Sequence, residues 1–215
     1  RPTGIVDPFF NADIDGNVTA IAPLPTQQKV LVAGTFSMVG GETRTNFAQL
    51  NADGTPDAVF TAPNGPVRAF IVLPDGKFIM VGNFTMVGSV TRNYISRQNA
   101  NGTIDNTFDP NANGVIESAV RQPDGKIIIA GFFTTVAGQP RNRIARLNAD
   151  GTLDASFTTS VNFTVRAVEL QPDGKIVVGG EFSTVNSTLR NRLARLYPDG
   201  TLDPTFGGGD GIVIV

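Results

Sequence analysis

The segment PDGKIVVGGEF at residues 172–182 is written almost identically at three other places, and such self-similarity constrains a fold more tightly than local propensity does. PDGKFIMVGNF occupies 74–84, PDGKIIIAGFF occupies 123–133, and a looser copy, PTQQKVLVAGTF, occupies 25–36. The shared glycine falls at Gly34, Gly82, Gly131 and Gly180, with a phenylalanine two residues on at Phe36, Phe84, Phe133 and Phe182, so the spacings are 48, 49 and 49. Arg44, Arg92, Arg141 and Arg190 recur in the same step. A D-x-x-F pattern appears five times, ending at Phe10, Phe60, Phe108, Phe157 and Phe206. Four units of about 49 residues between the first and last of these account for nearly all of the 215 residues.

Each unit reads as strands joined by turns. In the fourth, VRAVELQ is followed by PDG, where Pro172 presets φ and Gly174 tolerates a positive one, and then by KIVVGGEF. After the polar stretch STVNSTLRN come RLARLYP, an Asp199-Gly200 turn and the short TLDPTF, which makes four strands per unit. The 24 glycines and 14 prolines interrupt every window long enough for a helix. Four strands repeated at this period predict an all-β fold, a β-propeller of about four four-stranded blades, since blade repeats run roughly 40 to 50 residues. One small twisted sheet cannot bury both faces, whereas blades packed face to face can. The expected organisation is one domain over 1–215, with blades at 11–60, 61–108, 109–157 and 158–206. Terminal strands at 5–10 and 211–215 either close the ring or belong to a larger one, and an open end would invite pairing with another chain.

Composition bounds the chemistry. Cysteine and histidine are both absent, which removes disulfides, thiol nucleophiles, His-based triads and the usual zinc sites. The net charge is -2 with no basic run, so nothing points to nucleic acid as a partner. The apolar runs are far shorter than the ~20 residues a membrane-spanning helix needs, and membrane insertion is not expected. The N-terminus shows no basic segment followed by an apolar stretch, as expected of a mature, excised or cytoplasmic chain. No cofactor is implied.

The strings PDGKIVVGGEFSTVNSTLRNRLARLYPDGTLDPTF and PDGKIIIAGFFTTVAGQPRNRIARLNADGTLDASF resemble the delta-60 repeats of large bacterial surface and secreted proteins. The resemblance covers residues 7–206 and loosens toward the N-terminus, where PTQQK replaces PDGK and RTNFAQL replaces RNRIARL. It implies propeller blades and an extracellular or cell-surface setting.

If strands run from the hub outward, the PDG and NADG turns line one face and the longer loops the other, where a ligand is expected. Arg44, Arg92, Arg141 and Arg190 would fall once per blade on that long-loop face, where four guanidiniums could hold an anion. The alternative reading ties each to a D-x-x-F aspartate or to loop carbonyls. In NADIDGN, Asp13 and Asp15 resemble a calcium loop faintly but lack the distant bidentate glutamate, so an Asx-rich turn is the plainer reading. Only Glu42, Glu117, Glu169 and Glu181 could join aspartates in glycoside chemistry, and no motif selects a pair. The expected function is therefore non-enzymatic: a structural or adhesive module binding a protein partner, or itself, through the loop face or blade edges. A lectin-like, glycan-binding propeller is the second reading, weakened because Trp is absent and only Tyr94 and Tyr197 carry a phenol.

Overall fold

The computed structural model describes residues 7–57 and 60–207. The first unit supplies β1 (Asn17–Leu24), β2 (Lys29–Thr35), β3 (Met38–Val39), β4 (Glu42–Thr43) and β5 (Phe47–Leu50). The second repeats the series as β6 (Val67–Val72), β7 (Phe78–Gly82), β8 (Met86–Val87), β9 (Val90–Thr91) and β10 (Ile95–Gln98). The third gives β11 (Ile116–Arg121), β12 (Ile127–Gly131), β13 (Thr135–Val136), β14 (Gln139–Pro140) and β15 (Ile144–Leu147). The fourth gives β16 (Val165–Leu170), β17 (Ile176–Gly180), β18 (Thr184–Val185), β19 (Thr188–Leu189) and β20 (Leu193–Leu196). In every unit the first, second and fifth strands form an antiparallel sheet and the third and fourth form a small separate hairpin. No α-helix occurs among the described residues.

Two details depart from the four-strand expectation. The polar stretch between the second and last strands of each sheet is itself a hairpin, closed by positive-φ residues such as Gly88, Gly138 and Asn186. The expected outermost strand contracts to a single bridge in each unit, Leu50 with Pro56, Gln98 with Ile104, Leu147 with Leu153 and Leu196 with Leu202. The reason lies in the D-x-x-F aspartate one residue further on. In the last three units its carboxylate accepts hydrogen bonds from the amide and hydroxyl two residues ahead, as Asp154 does from Ser156 at 3.0 and 2.7 Å, and this bends the chain out of the ladder. PTQQK makes a 3-10 turn at Pro25–Gln27, with Gln28 taking the left-handed conformation that glycine takes in the PDG turns.

The sheets stack as blades. β1 packs beside β6, β6 beside β11 and β11 beside β16, so the first strand of each sheet lies at a common hub. Blade 2 contributes Ile79, Val81 and Ile95 to a core whose other half is Ile127, Ile129, Phe133, Ala145 and Leu147 of blade 3. Blade 3 repeats the arrangement with Ile128, Ala130 and Ile144 against Val168, Ile176, Val178 and Phe182 of blade 4. The D-x-x-F phenylalanine crosses to the next blade, where Phe108 lies under Gly151; a Cβ there would stand 2.6 Å from the ring. Gly131 answers to a different crowding, since its Cβ would fall 2.2 Å from the Val115 carbonyl at a bulge in β11. Among the described residues no comparable packing joins β16 back to β1, so the four blades form an arc. The expected terminal strands, 5–10 and 211–215, lie mostly outside the described residues; 7–10 are turn and coil.

Candidate interaction face

The PDG and NADG turns do share one face. Gly76 of a PDG turn lies against Ala100 of the neighbouring turn in its own blade and against Gln27 of the blade before. Beneath this face each of the last three blades buries an ionic group assembled from the repeat. Asp105 meets Lys77 at 3.1 Å and Arg97 at 3.0 Å, Asp154 meets Lys126 and Arg146 at 2.8 Å each, and Asp203 meets Lys175 at 3.1 Å and Arg195 at 2.9 Å. In the first blade Asp57 pairs with Lys29, and Gln49 stands where the arginine would be.

Burial is the largest single influence on Asp105 and Asp154 and raises their pKa, but hydroxyl, amide and cationic partners together outweigh it and hold both well below the usual carboxylate range. Asp203 is likewise lowered, chiefly by the Thr205 hydroxyl. Two of the arginines also tie one blade to the next: Arg97 donates to the Ala149 carbonyl at 2.7 Å and Arg146 to the Pro198 carbonyl at 2.6 Å. Their guanidiniums stack on Phe108 and Phe157, 4.5 and 4.8 Å from the ring centroids. These groups are spent on architecture.

The recurring arginines 44, 92, 141 and 190 sit at the hairpins of the long-loop face, each folded back on its own blade. Every one donates to the carbonyl of the residue before it, at 2.7 to 2.9 Å. Arg44 also reaches Glu42 and the Asp57 carbonyl, and Arg92 reaches Asn106 with Asp109 nearby at 3.8 Å. Asp57 and Asn106 belong to the outermost segments of their blades, so these two guanidiniums point toward the rim and away from the hub. Asp15 has a similar local task. Its carboxylate accepts from the Ser37 amide and hydroxyl and the Met38 amide at 2.5 to 2.9 Å, which places its pKa below the usual value. Asn64, Asn113 and Asn162 do the same for the other three hairpins without a charge. Asp13 is exposed, with φ at 39°.

A different group gathers at the long-loop end of the hub. The bulge at the start of each first strand turns one side chain out of the ladder: Thr19, Arg68, Glu117 and Arg166. Glu117 meets Arg166 at 3.1 Å and Arg68 at 3.6 Å, and Arg166 meets Glu181 at 2.7 Å. The Arg166 guanidinium lies over Phe132, 4.9 Å from its centroid. Phe132 and Phe163 are 39% and 49% exposed. Phe163 occupies the place held by Gly16, Gly65 and Gly114 in the other units, and Phe132 replaces Asn83 of blade 2 and Glu181 of blade 4. The sequence reading passed over this cluster because it followed what recurs, and these positions are marked by failing to recur.

Comparison with known proteins bears on this geometry. A family profile described as a domain of unknown function, the DUF5122 β-propeller, matches residues 29–60, 73–108, 122–157 and 171–206. The chain belongs to that family. Each matched DUF5122 segment runs from the second strand of a sheet, or the turn before it, to the D-x-x-F phenylalanine, and so contains the whole ionic group beneath the turn face. The first strands, with Arg68, Glu117, Phe163 and Arg166 of the hub cluster, lie outside the matched segments, while Phe132 and Glu181 lie within them. A search of curated proteins finds no match. Among solved structures the chain is similar to the WD40 β-propeller domain of Doa1, at 18% identity with a TM-score of 0.55, covering 77% of this chain and 48% of that one. The likeness is one of fold, and this DUF5122 chain spans about half the length of that propeller chain.

Proposed function

We propose that the chain is a non-enzymatic interaction module of a bacterial extracellular or cell-surface protein, and that it engages a protein partner at the long-loop end of the hub around Phe132, Phe163 and Arg166. The observation that carries this reading is the pair of exposed phenylalanines at positions where other units hold Gly, Thr, Asn or Glu. A scaffold residue recurs because every blade needs it; a large apolar side chain added at one site and left in solvent serves something outside the blade. The surrounding charges, two arginines and two glutamates, supply a polar rim suited to a protein surface. The extracellular setting rests on the resemblance to delta-60 repeats.

The same cluster speaks against catalysis. Glu117 and Glu181 are the two glutamates the fold brings to one place, and the Arg166 guanidinium is lodged between them. A glycoside-cleaving pair must leave that space to the scissile bond and hold one carboxyl ready to donate a proton. The test is a peptide-display library panned against the immobilised chain, with selected peptides titrated against Phe163→Ser and Arg166→Ala. Both variants are expected to weaken binding by about tenfold or more, roughly 1.4 kcal/mol. Arg141→Lys with Arg190→Lys should leave it unchanged. Peptides indifferent to the hub variants, or selection that enriches none, would sink the reading.

A further inference from the structure

We infer that the turn face carries a small-ligand site between blades 2 and 3, and that it takes a branched aliphatic group ending in a carboxylate. A cleft of about 240 Å³ opens there, with Leu73 and Pro74 of blade 2 on one side and Ile127 and Ala149 of blade 3 on the other. Arg97 and Arg121 supply its cationic lining. The cleft is on the face away from the hub cluster, so the inference stands or falls independently of the partner proposed above.

Two positions that break the repeat meet at this cleft. At the junctions on either side a glutamine crosses between turns: Gln27 donates to the Gly76 carbonyl at 3.3 Å and Gln122 to the Pro198 carbonyl at 3.4 Å. Blade 2 has Leu73 where blades 3 and 4 have Gln122 and Gln171. The junction with blade 3 therefore presents a half-buried isobutyl group, packed on the core below, in place of a bridging amide. The last residue of β11 is Arg121, whereas the other first strands end in Leu24, Val72 and Leu170. A long cation thus stands beside Leu73 at a place where the blade itself is built with an aliphatic side chain.

Charge selects the occupant. Lys77 and Arg97 share Asp105, and Arg97 is tied further to the Ala149 carbonyl. Asp75 and Asp150, the carboxylates of the flanking turns, each accept the amide two residues on. Of the charged groups lining the cleft, Arg121 alone is unspent: it is exposed, and among the described residues its guanidinium makes no hydrogen bond or ion pair. It lies along the PDG turn of its own blade, Nη2 standing 3.4 Å from where a Cβ on Gly125 would be. A free guanidinium offers the planar pair of donors that a carboxylate matches. Leu73, Pro74, Ile127 and Ala149 offer apolar surface beside it. The volume is below the ~300 Å³ at which sites for drug-sized ligands begin, so the apolar part is about the size of one side chain. A leucine-like end meets both demands, whether it is the C-terminus of a peptide or a free aliphatic acid.

The test is an NMR titration of the isotope-labelled chain with 4-methylpentanoate and, separately, with acetyl-Gly-Leu carrying a free C-terminus. Saturable shifts are expected at the Leu73, Gly125 and Ala149 amides, and the amides of both ligands, which lack the charge, should bind at least about tenfold more weakly. Arg121→Leu installs the residue that blades 1 and 4 carry, and Leu73→Gln the one that blades 3 and 4 carry, so both should keep the wild-type far-UV circular dichroism. Each should raise the dissociation constant at least about tenfold, the first by removing the guanidinium and the second by restoring the bridging amide. Binding of the dipeptide would make a chain end the source, and binding of 4-methylpentanoate alone a free acid. No saturable shift with either up to about 10 mM, well above a millimolar dissociation constant, would overturn the site. So would amides that bind as tightly as the acids, or binding that survives Arg121→Leu unchanged.

Discussion

The turn face and the long-loop end of the hub are made from the same four repeats, yet they differ in what the repeats keep. Under the turn face, Asp105, Asp154 and Asp203 hold the same lysine, arginine and hydroxyl partners blade after blade, and each arginine stacks on the D-x-x-F phenylalanine of its own blade, which for Phe108 and Phe157 locks the next blade. At the hub the equivalent positions read Thr19, Arg68, Glu117 and Arg166, and an exposed Phe163 replaces three glycines. Identity where each blade must meet its neighbour, and variation where none of them must, separates the residues that build the propeller from those free to serve a partner. Removing a residue of the first kind should unfold the protein; removing one of the second should hardly be felt by the fold.

The largest expected contrast is between two phenylalanines. Phe133 is fully buried in the core between blades 2 and 3, and Phe133→Ala should cost about 3 to 5 kcal/mol in urea-denaturation stability. Phe163→Ala should change it by less than about 0.5 kcal/mol, because the ring is half in water. Equal losses would erase the division between scaffold and site.

Next comes a pair of charges. Asp154→Ala leaves the Arg146 guanidinium buried without its carboxylate and the Lys126 ammonium without its partner, so a loss of about 3 kcal/mol is expected. Arg166→Ala, whose guanidinium is about half exposed and leaves Glu117 with Arg68 still nearby, should cost less than about 1 kcal/mol. The same aspartates give the contrast a pH dependence. Their pKa values are lowered in the folded protein relative to about 3.9 in the unfolded chain. Their contribution is therefore complete above about pH 4 and shrinks as pH falls from there toward the folded values. The melting midpoint should drop steeply below pH 4, and Asp154→Asn should flatten part of that slope; a parallel slope in the variant would show that the ionic groups do not govern acid stability.

What the sequence disclosed follows the same line. The period, the PDG and NADG turns and the D-x-x-F phenylalanines are recurrent, so the all-β propeller and its two faces could be read from spacing alone. The hairpins such as β13–β14 were hidden because a two-residue strand carries no periodicity, and TLDPTF resembles a strand until its aspartate is seen to bend the backbone around Thr205. The hub cluster was hidden for a third reason. Glu117 and Arg166 are paired by a bulge in each first strand, and a bulge flips one side chain out of the alternation that a sequence pattern relies on. The arginines at 44, 92, 141 and 190 show the converse: their recurrence drew notice, and their guanidiniums close the hairpins that produce the recurrence.

The smallest expected effect tests whether the first blade follows the rule of the other three. Asp15 holds its hairpin with the same acceptor geometry that Asn64, Asn113 and Asn162 use, and none of these three carries charge. If the negative charge has no separate task, Asp15→Asn should leave the melting midpoint within about 1–2 °C, since exposed substitutions that preserve their hydrogen bonds stay within about 0.5 kcal/mol. Calcium against a chelator should make no larger difference, because the carboxylate that would bind the ion is already engaged by three donors. A calcium-dependent rise that disappears in Asp15→Asn would make the first loop an ion site and the one place where a repeated structural position has been given a second use.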